Sequence, residues 1–120
     1  MAIIKIKRAY ETDAKGDGCR ILVDRLWPRG IKKEDLHIDA WLKEIAPSTT
    51  LRKWFDHDQK KWEHFKQKYV NELKHAPAVE DITELLKKHK TITLVYGAKD
   101  EQHNNAIVIK EFLEKMKLLK

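Results

Sequence analysis

One cysteine in 120 residues leaves no internal disulfide to form, so Cys19 reads as a small buried hydrophobe in a chain kept reduced. No stretch approaches the ~20 consecutive apolar residues that a bilayer span requires. The opening Met1-Ala2-Ile3-Ile4-Lys5 lacks the apolar core of a secretion signal. These absences predict a cytoplasmic protein with no membrane partner. There is no glycine-rich phosphate loop and no dinucleotide fingerprint. His57 and His64 stand seven apart, and His75 and His89 fall elsewhere, so no pair has the spacing of zinc ligands. Neither a metal nor another cofactor is expected. No repeat, low-complexity tract or linker interrupts the chain, which predicts one α/β domain over residues 1–120. A chain of this length buries roughly two-thirds of its unfolded surface in one core.

Hydrophobic residues make up 42% of the sequence and charged residues 37%, with a formal net charge of +6. A basic balance attracts phosphates, but here the lysines are strewn among glutamates and aspartates, where they also serve solvation. Nucleic acid is therefore a partner class that needs the charge gathered on one face.

Residues 3–8 mix β-branched side chains with alternating lysines and predict a first strand; residues 13–18 form a loop. Residues 19–24 predict a second strand, apolar at Ile21, Leu22 and Val23 and so covered on both faces. From Glu34, the spacing of Ile38, Trp41, Leu42 and Ile45 predicts a helix ended by Pro47. Ser48, Thr49 or Thr50 caps a short helix carrying Leu51, Trp54 and Phe55. Asp58 caps a helix with the stripe Trp62, Phe65, Tyr69 and Leu73. After Pro77, Val79, Ile82, Leu85 and Leu86 mark another. Residues 91–96 are the clearest strand, and Asp100 is a cap for a last helix bearing Ile109, Phe112, Leu113 and Met116. This alternation predicts an α/β fold with a small, mainly parallel sheet of three or four strands flanked by helices.

In open α/β sheets ligands collect beyond the carboxyl ends of the strands. The first strand runs out at Arg8 and Tyr10, the second at Asp24 and Arg25. The third runs out at Tyr96-Gly97-Ala98-Lys99-Asp100, ahead of His103, Asn104 and Asn105. Parallel strands bring these stretches to one rim, with a helix start that favours anions. Arg25 and Arg29 read as a planar clamp on carboxylate or phosphate, with Arg8, Trp27, Tyr96, Lys99 and Asn104 completing a ligand-binding set. Asp24, Asp100 and His103 form the acid–base set.

Each has a plainer counterpart. Arg25 pairs with a carboxylate, Arg29 stacks on Trp27, Asp24 fixes the loop, and His103 is satisfied by backbone or solvent. Asn104 and Asn105 are odd in a helix, because asparagine competes for backbone hydrogen bonds; a polar pocket or exposure in the first turn accounts for them. The aromatics Trp41, Trp54, Phe55, Trp62, Phe65 and Tyr69 read as core. Residues 51–58 mix charge with aromatics and suit a pocket border or a partner surface.

The run Val23-Asp24-Arg25-Leu26-Trp27-Pro28-Arg29-Gly30 is the most specific of a set of motifs. With Trp41-Leu42-Lys43, Ala46-Pro47-Ser48, Leu51-Arg52-Lys53-Trp54-Phe55 and Tyr96-Gly97-Ala98-Lys99-Asp100 followed by His103-Asn104, it resembles the bacterial YeaO-like family. This is the short branch of a domain family of unknown function, and the similarity spans nearly the whole chain. The resemblance implies a small cytoplasmic α/β domain with no established activity. Its plan is similar to rhodanese-like domains, in which a strand-to-helix loop binds anions. Longer relatives carry a cysteine-histidine-arginine triplet where this chain has Asn104-Asn105-Ala106, and a strand-end pair that Asp24 and Arg25 match. The missing cysteine removes the thiol of that route; an anion pocket does not need it.

Two functions follow. One is a small-anion site (phosphate, carboxylate or nucleotide-type) at the strand ends, used for binding alone or with acid–base chemistry. The other is a non-catalytic basic module for nucleic acid or protein.

Overall fold

A computed structural model describes residues 2–12 and 14–118; Met1, Asp13 (the first residue of the expected loop), Leu119 and Lys120 lie outside. Four strands, β1 (Ile3–Arg8), β2 (Cys19–Leu22), β3 (Ala40–Trp41) and β4 (Thr91–Tyr96), form one parallel sheet in the order β1-β4-β2-β3. β4 is central. It pairs with β1 from Ile3 opposite Thr91 to Arg8 opposite Tyr96, and with β2 from Cys19 opposite Ile92 to Leu22 opposite Val95. Burial on both faces accounts for its mostly apolar and β-branched sequence, in which Thr93 is a buried polar residue.

Successive strand residues point to opposite faces of a sheet, and that alternation sorts the core into two layers. Ile4, Ile21, Ile92, Leu94 and Tyr96 join the larger layer. The helices α1 (Thr49–Phe55), α2 (Trp62–Leu73), α3 (Ala78–Lys88) and α4 (Asn105–Leu118) all contribute their apolar faces to it. α1, α2 and α3 make the connection from β3 to β4, while α4 follows β4. The other layer is smaller: Leu22 and Val95 meet Ala9 and Leu36, with Trp27, Ile31, Ile38 and Trp41 packed against them. Helices therefore cover one face, and the loop between β2 and β3 covers part of the other.

A charge cluster completes that second face. Asp17 is buried and accepts from the Ala14 N–H at 3.0 Å, from Lys7 Nζ at 3.0 Å and from the Arg20 guanidinium. The Thr93 hydroxyl donates to the Asp17 carbonyl at 2.7 Å. Gly18, beside it, has φ +63°, and an added Cβ would sit 2.3 Å from the Thr91 carbonyl oxygen. Only glycine fits that approach.

The helix expected from Glu34 does not form. Ala40 and Trp41 pair instead with Ile21 and Leu22, and Lys43–Ile45 make a single 3₁₀ turn. The four apolar residues serve opposite sides of the sheet: Ile38 and Trp41 enter the smaller layer, Leu42 and Ile45 the larger. Two-residue alternation over 40–42 overrode the three-four spacing. The Asp39 carboxylate, accepting from the Arg20 N–H at 2.8 Å, holds the register.

Of the three expected caps, Ser48 holds, Asp58 caps a 3₁₀ turn, and Asp100 gives way to Asn104. Ser48 Oγ accepts from the Leu51 N–H at 3.1 Å and starts α1. Asp58 caps a 3₁₀ turn (Gln59–Lys61) that leads into α2, accepting from the Lys60 N–H at 3.0 Å. The cap of α4 is Asn104, whose Oδ1 accepts from the Ile107 N–H at 3.0 Å. Asp100 closes the turn before it, on the N–H groups of Gln102 and His103. Among the described residues no helix is long and apolar enough to cross a membrane.

Candidate functional site

Parallel pairing sends all four strand ends in one direction, and a cavity of about 420 Å³ opens where they stop. Tyr10 follows β1 into its wall, residues 24–29 follow β2, and Ala46 and Pro47 follow β3. Gly97 and Ala98 come after β4, and residues 103–105 complete that side at the start of α4. Arg52 and Phe55 of α1, His57 beyond it and Phe65 of α2 supply the rest.

Asp24 anchors the wall. One carboxylate oxygen accepts from the Gly97 N–H at 2.8 Å, and the other from the Asn105 amide at 3.1 Å. The same amide donates to the Val23 carbonyl at 3.1 Å, and the Trp41 indole to the Asp24 carbonyl at 2.7 Å. The approach is close: a Cβ at Gly97 would lie 3.1 Å from the carboxylate. Burial pushes the Asp24 carboxyl above its ordinary range, and the Gly97 and Asn105 hydrogen bonds pull it partly back.

Arg25 is held loosely by comparison. Its Nη2 lies 3.5 Å from the carbonyls of both Ala46 and Pro47, and Nη1 lies 3.7 Å from the exposed carboxylate of Glu44. Its Nε is buried and has no hydrogen-bond partner among the described residues. A buried donor left unpaired costs about 1–3 kcal/mol. Arg29 is exposed on the rim, where its carbonyl accepts from the Tyr10 hydroxyl at 2.9 Å. Trp27 meets Trp41 edge to face at 5.3 Å and donates its indole N–H to the Ile31 carbonyl.

His103 lines the cavity with its Nδ1 2.9 Å from an Asp100 oxygen and its ring edge-on to Trp62 at 5.1 Å. The Gln102 N–H and the His103 ring and N–H hold the Asp100 carboxyl below its ordinary value. An imidazole oriented through Nδ1 keeps Nε2 for a ligand, as a donor or acceptor.

The expected residues thus divide. Asp24, Arg25, Trp27, Arg29, His103 and Asn104 line the cavity, whereas Arg8, Tyr96, Lys99 and Asp100 do not. Arg8 donates to the Ala98 carbonyl at 2.9 Å and lies over the Tyr10 ring, so it supports the strand-end turn. Tyr96 is buried in the core, Lys99 is exposed, and Asp100 acts behind His103. Asn104 spends its amide on capping, donating to the Asp100 carbonyl while its oxygen holds the Ile107 N–H. Arg52 and His57 were not singled out by sequence, although the charged aromatic stretch 51–58 marked their segment. Cys19 lies in the main core, where burial and then the Asp39 charge push its thiol up, away from thiolate chemistry.

Comparison with known proteins places this geometry in a lineage. The family model described as the inactive DUF488-N3 subclade matches residues 3–118. The chain is 44% identical over 114 residues to the uncharacterized protein YeaO of Escherichia coli (strain K12), covering 94% of this chain and 98% of that protein. It is 33% identical over 110 residues to the uncharacterized protein Rv3073c of Mycobacterium tuberculosis, covering 92% of each. No solved structure gives a significant match. The chain belongs to the YeaO-like family, within the branch described as the inactive DUF488-N3 subclade.

Proposed function

We propose that this protein is a cytosolic binding domain that holds a small anion, a phosphate or carboxylate, at the carboxyl ends of its sheet without turning it over. The observation that carries the proposal is the convergence of three arginines, Arg25, Arg29 and Arg52, on one cavity. Guanidinium forks recognise planar and tetrahedral oxyanions through paired, charge-assisted hydrogen bonds. In this reading Arg25 is the principal ligand, Arg29 and Arg52 draw charge in from the rim, and His103 adds a donor that Asp100 orients.

Binding without turnover is favoured over acid–base chemistry for two reasons. Both Asp24 oxygens are engaged in holding Gly97 and Asn105, which is a positioning task. The subclade is also described as inactive. The test is thermal: inorganic phosphate, sulfate and simple carboxylates are titrated against the wild type and Arg25→Ala. A ligand at a hundred times its Kd stabilises by about 2.7 kcal/mol, a readily measured rise in Tm. The rise should be lost in Arg25→Ala. A folded wild type that responds to none of these anions would overturn the proposal.

The second reading, a basic module for nucleic acid or protein, draws on one patch. Trp54 is exposed, and Lys61 and Lys68 place their ammonium groups 5.1 and 5.0 Å from its ring. Several other lysines answer nearby carboxylates, among them Lys7 with Asp17, Lys66 with Glu111 and Lys110 with Glu114. That pairing favours solvation as their role. The reading requires affinity that falls steeply with salt, as phosphate contacts release counterions.

A further inference from the structure

The cavity is much larger than an oxyanion requires. A water molecule takes about 30 Å³ of liquid volume, and the space here is about 420 Å³. That is within the range of roughly 300–1,000 Å³ in which small organic ligands are held. Its lining is also of two kinds. With the arginines stand Tyr10, Leu26, Trp27, Pro28, Pro47 and Ala98. Tyr10 and Leu26 are its exposed apolar members, at 47% and 64% exposure. An inorganic anion leaves such apolar surface wet and gains nothing from it.

Asp24 adds a third element. A carboxylate offers about four acceptor positions, and the Gly97 N–H and Asn105 amide occupy two of them. A half-buried carboxylate on a cavity wall with acceptor capacity to spare matches a ligand that brings its own N–H or O–H. It also repels a second negative group, which sets the anionic end of the ligand towards Arg25, Arg29 and Arg52.

We infer that the site is built for a ring-bearing organic anion: one phosphate or carboxylate joined to a planar, partly apolar body that presents a hydrogen-bond donor, the chemistry of a nucleoside monophosphate. This rests on the anion reading above and narrows it. The oxyanion would take the guanidinium groups of Arg25, Arg29 and Arg52, the ring would cover the apolar wall of Tyr10 and Leu26, and the donor would meet Asp24.

The experiment is calorimetric titration of the wild-type protein, which needs no variant to fold. The ligand series is adenosine and uridine 5′-monophosphate, phenyl phosphate, ribose 5-phosphate, inorganic phosphate and the two nucleosides. The nucleoside monophosphates should bind at least tenfold tighter than ribose 5-phosphate and inorganic phosphate, with phenyl phosphate between. Arg25→Ala should reduce them to the level of the nucleosides. Equal affinity for inorganic phosphate, ribose 5-phosphate and the nucleotides would overturn this inference and leave the anion reading standing. Nucleosides binding as tightly as their phosphates, or no binding by any member, would overturn both.

Discussion

Asp24 and Arg25 are adjacent in sequence and opposite in behaviour. The aspartate is engaged at both oxygens, so it ties β2 to the turn after β4 and to the start of α4. The arginine touches two carbonyls at the limit of hydrogen bonding and leaves Nε unpaired. Truncating Asp24 to Ala strands the Gly97 N–H and the Asn105 amide, and should cost about 2–3 kcal/mol in urea denaturation. Arg25→Ala should cost much less and abolish the phosphate response instead. If the two variants were equally destabilised, the division between a positioning aspartate and a ligand-facing arginine would fail. The strand-end pair is legible in the sequence as charge following an apolar run. Its partners are not, because a backbone N–H 73 positions away carries no residue signature.

At the scale of elements, the end of α1 is unusual. Asp56 and His57 have φ of +45° and +55° in succession, a left-handed conformation in which side chains are strained. Such strain costs on the order of 1 kcal/mol or more per residue and gathers at functional sites. His57 is the one of the two that lines the cavity. Asp56→Gly should therefore raise stability by up to about 1 kcal/mol and leave phosphate binding unchanged. His57→Gly should raise Tm as well, yet weaken phosphate binding; unchanged affinity would remove His57 from the site. Amphipathic spacing revealed α1, α2, α3 and α4 because each packs one face on the same layer. It misread residues 38–45 because that stretch crosses a sheet edge and feeds both layers, which no single helical period describes.

For the molecule as a whole, the buried Asp17 and the half-buried Asp24 set opposite pH dependences. Burial alone would raise Asp17, but the Ala14 N–H, Lys7 and Arg20 hold it below its ordinary value. Its contribution is complete above the unfolded value, about 3.9, and is lost as pH falls through the lower folded value. Asp24 is raised by burial, so folding gains as pH falls from its folded value towards the unfolded one. Stability against urea should thus rise slightly as pH drops towards about 4, then fall steeply below it. Asp17→Asn should flatten the acid limb, at a neutral-pH cost of about 3–5 kcal/mol from the abandoned Lys7 and Arg20. A steep acid limb in that variant would assign the loss elsewhere. The alternation of strands and helices made the parallel sheet readable, and with it the rim where the cavity lies. Which residues face that rim depends on turns of a few residues, and there Lys99 and Asp100 point elsewhere than their neighbours.

The stretch between β2 and β3 has two jobs, since Trp27 and Leu36 roof the sheet while Arg25 and Arg29 fence the cavity. An occupied cavity should therefore damp breathing on the other side of the sheet. Amide hydrogen exchange around Leu36, which touches no ligand, should slow when phosphate is bound, so the protein carries its own remote reporter of saturation.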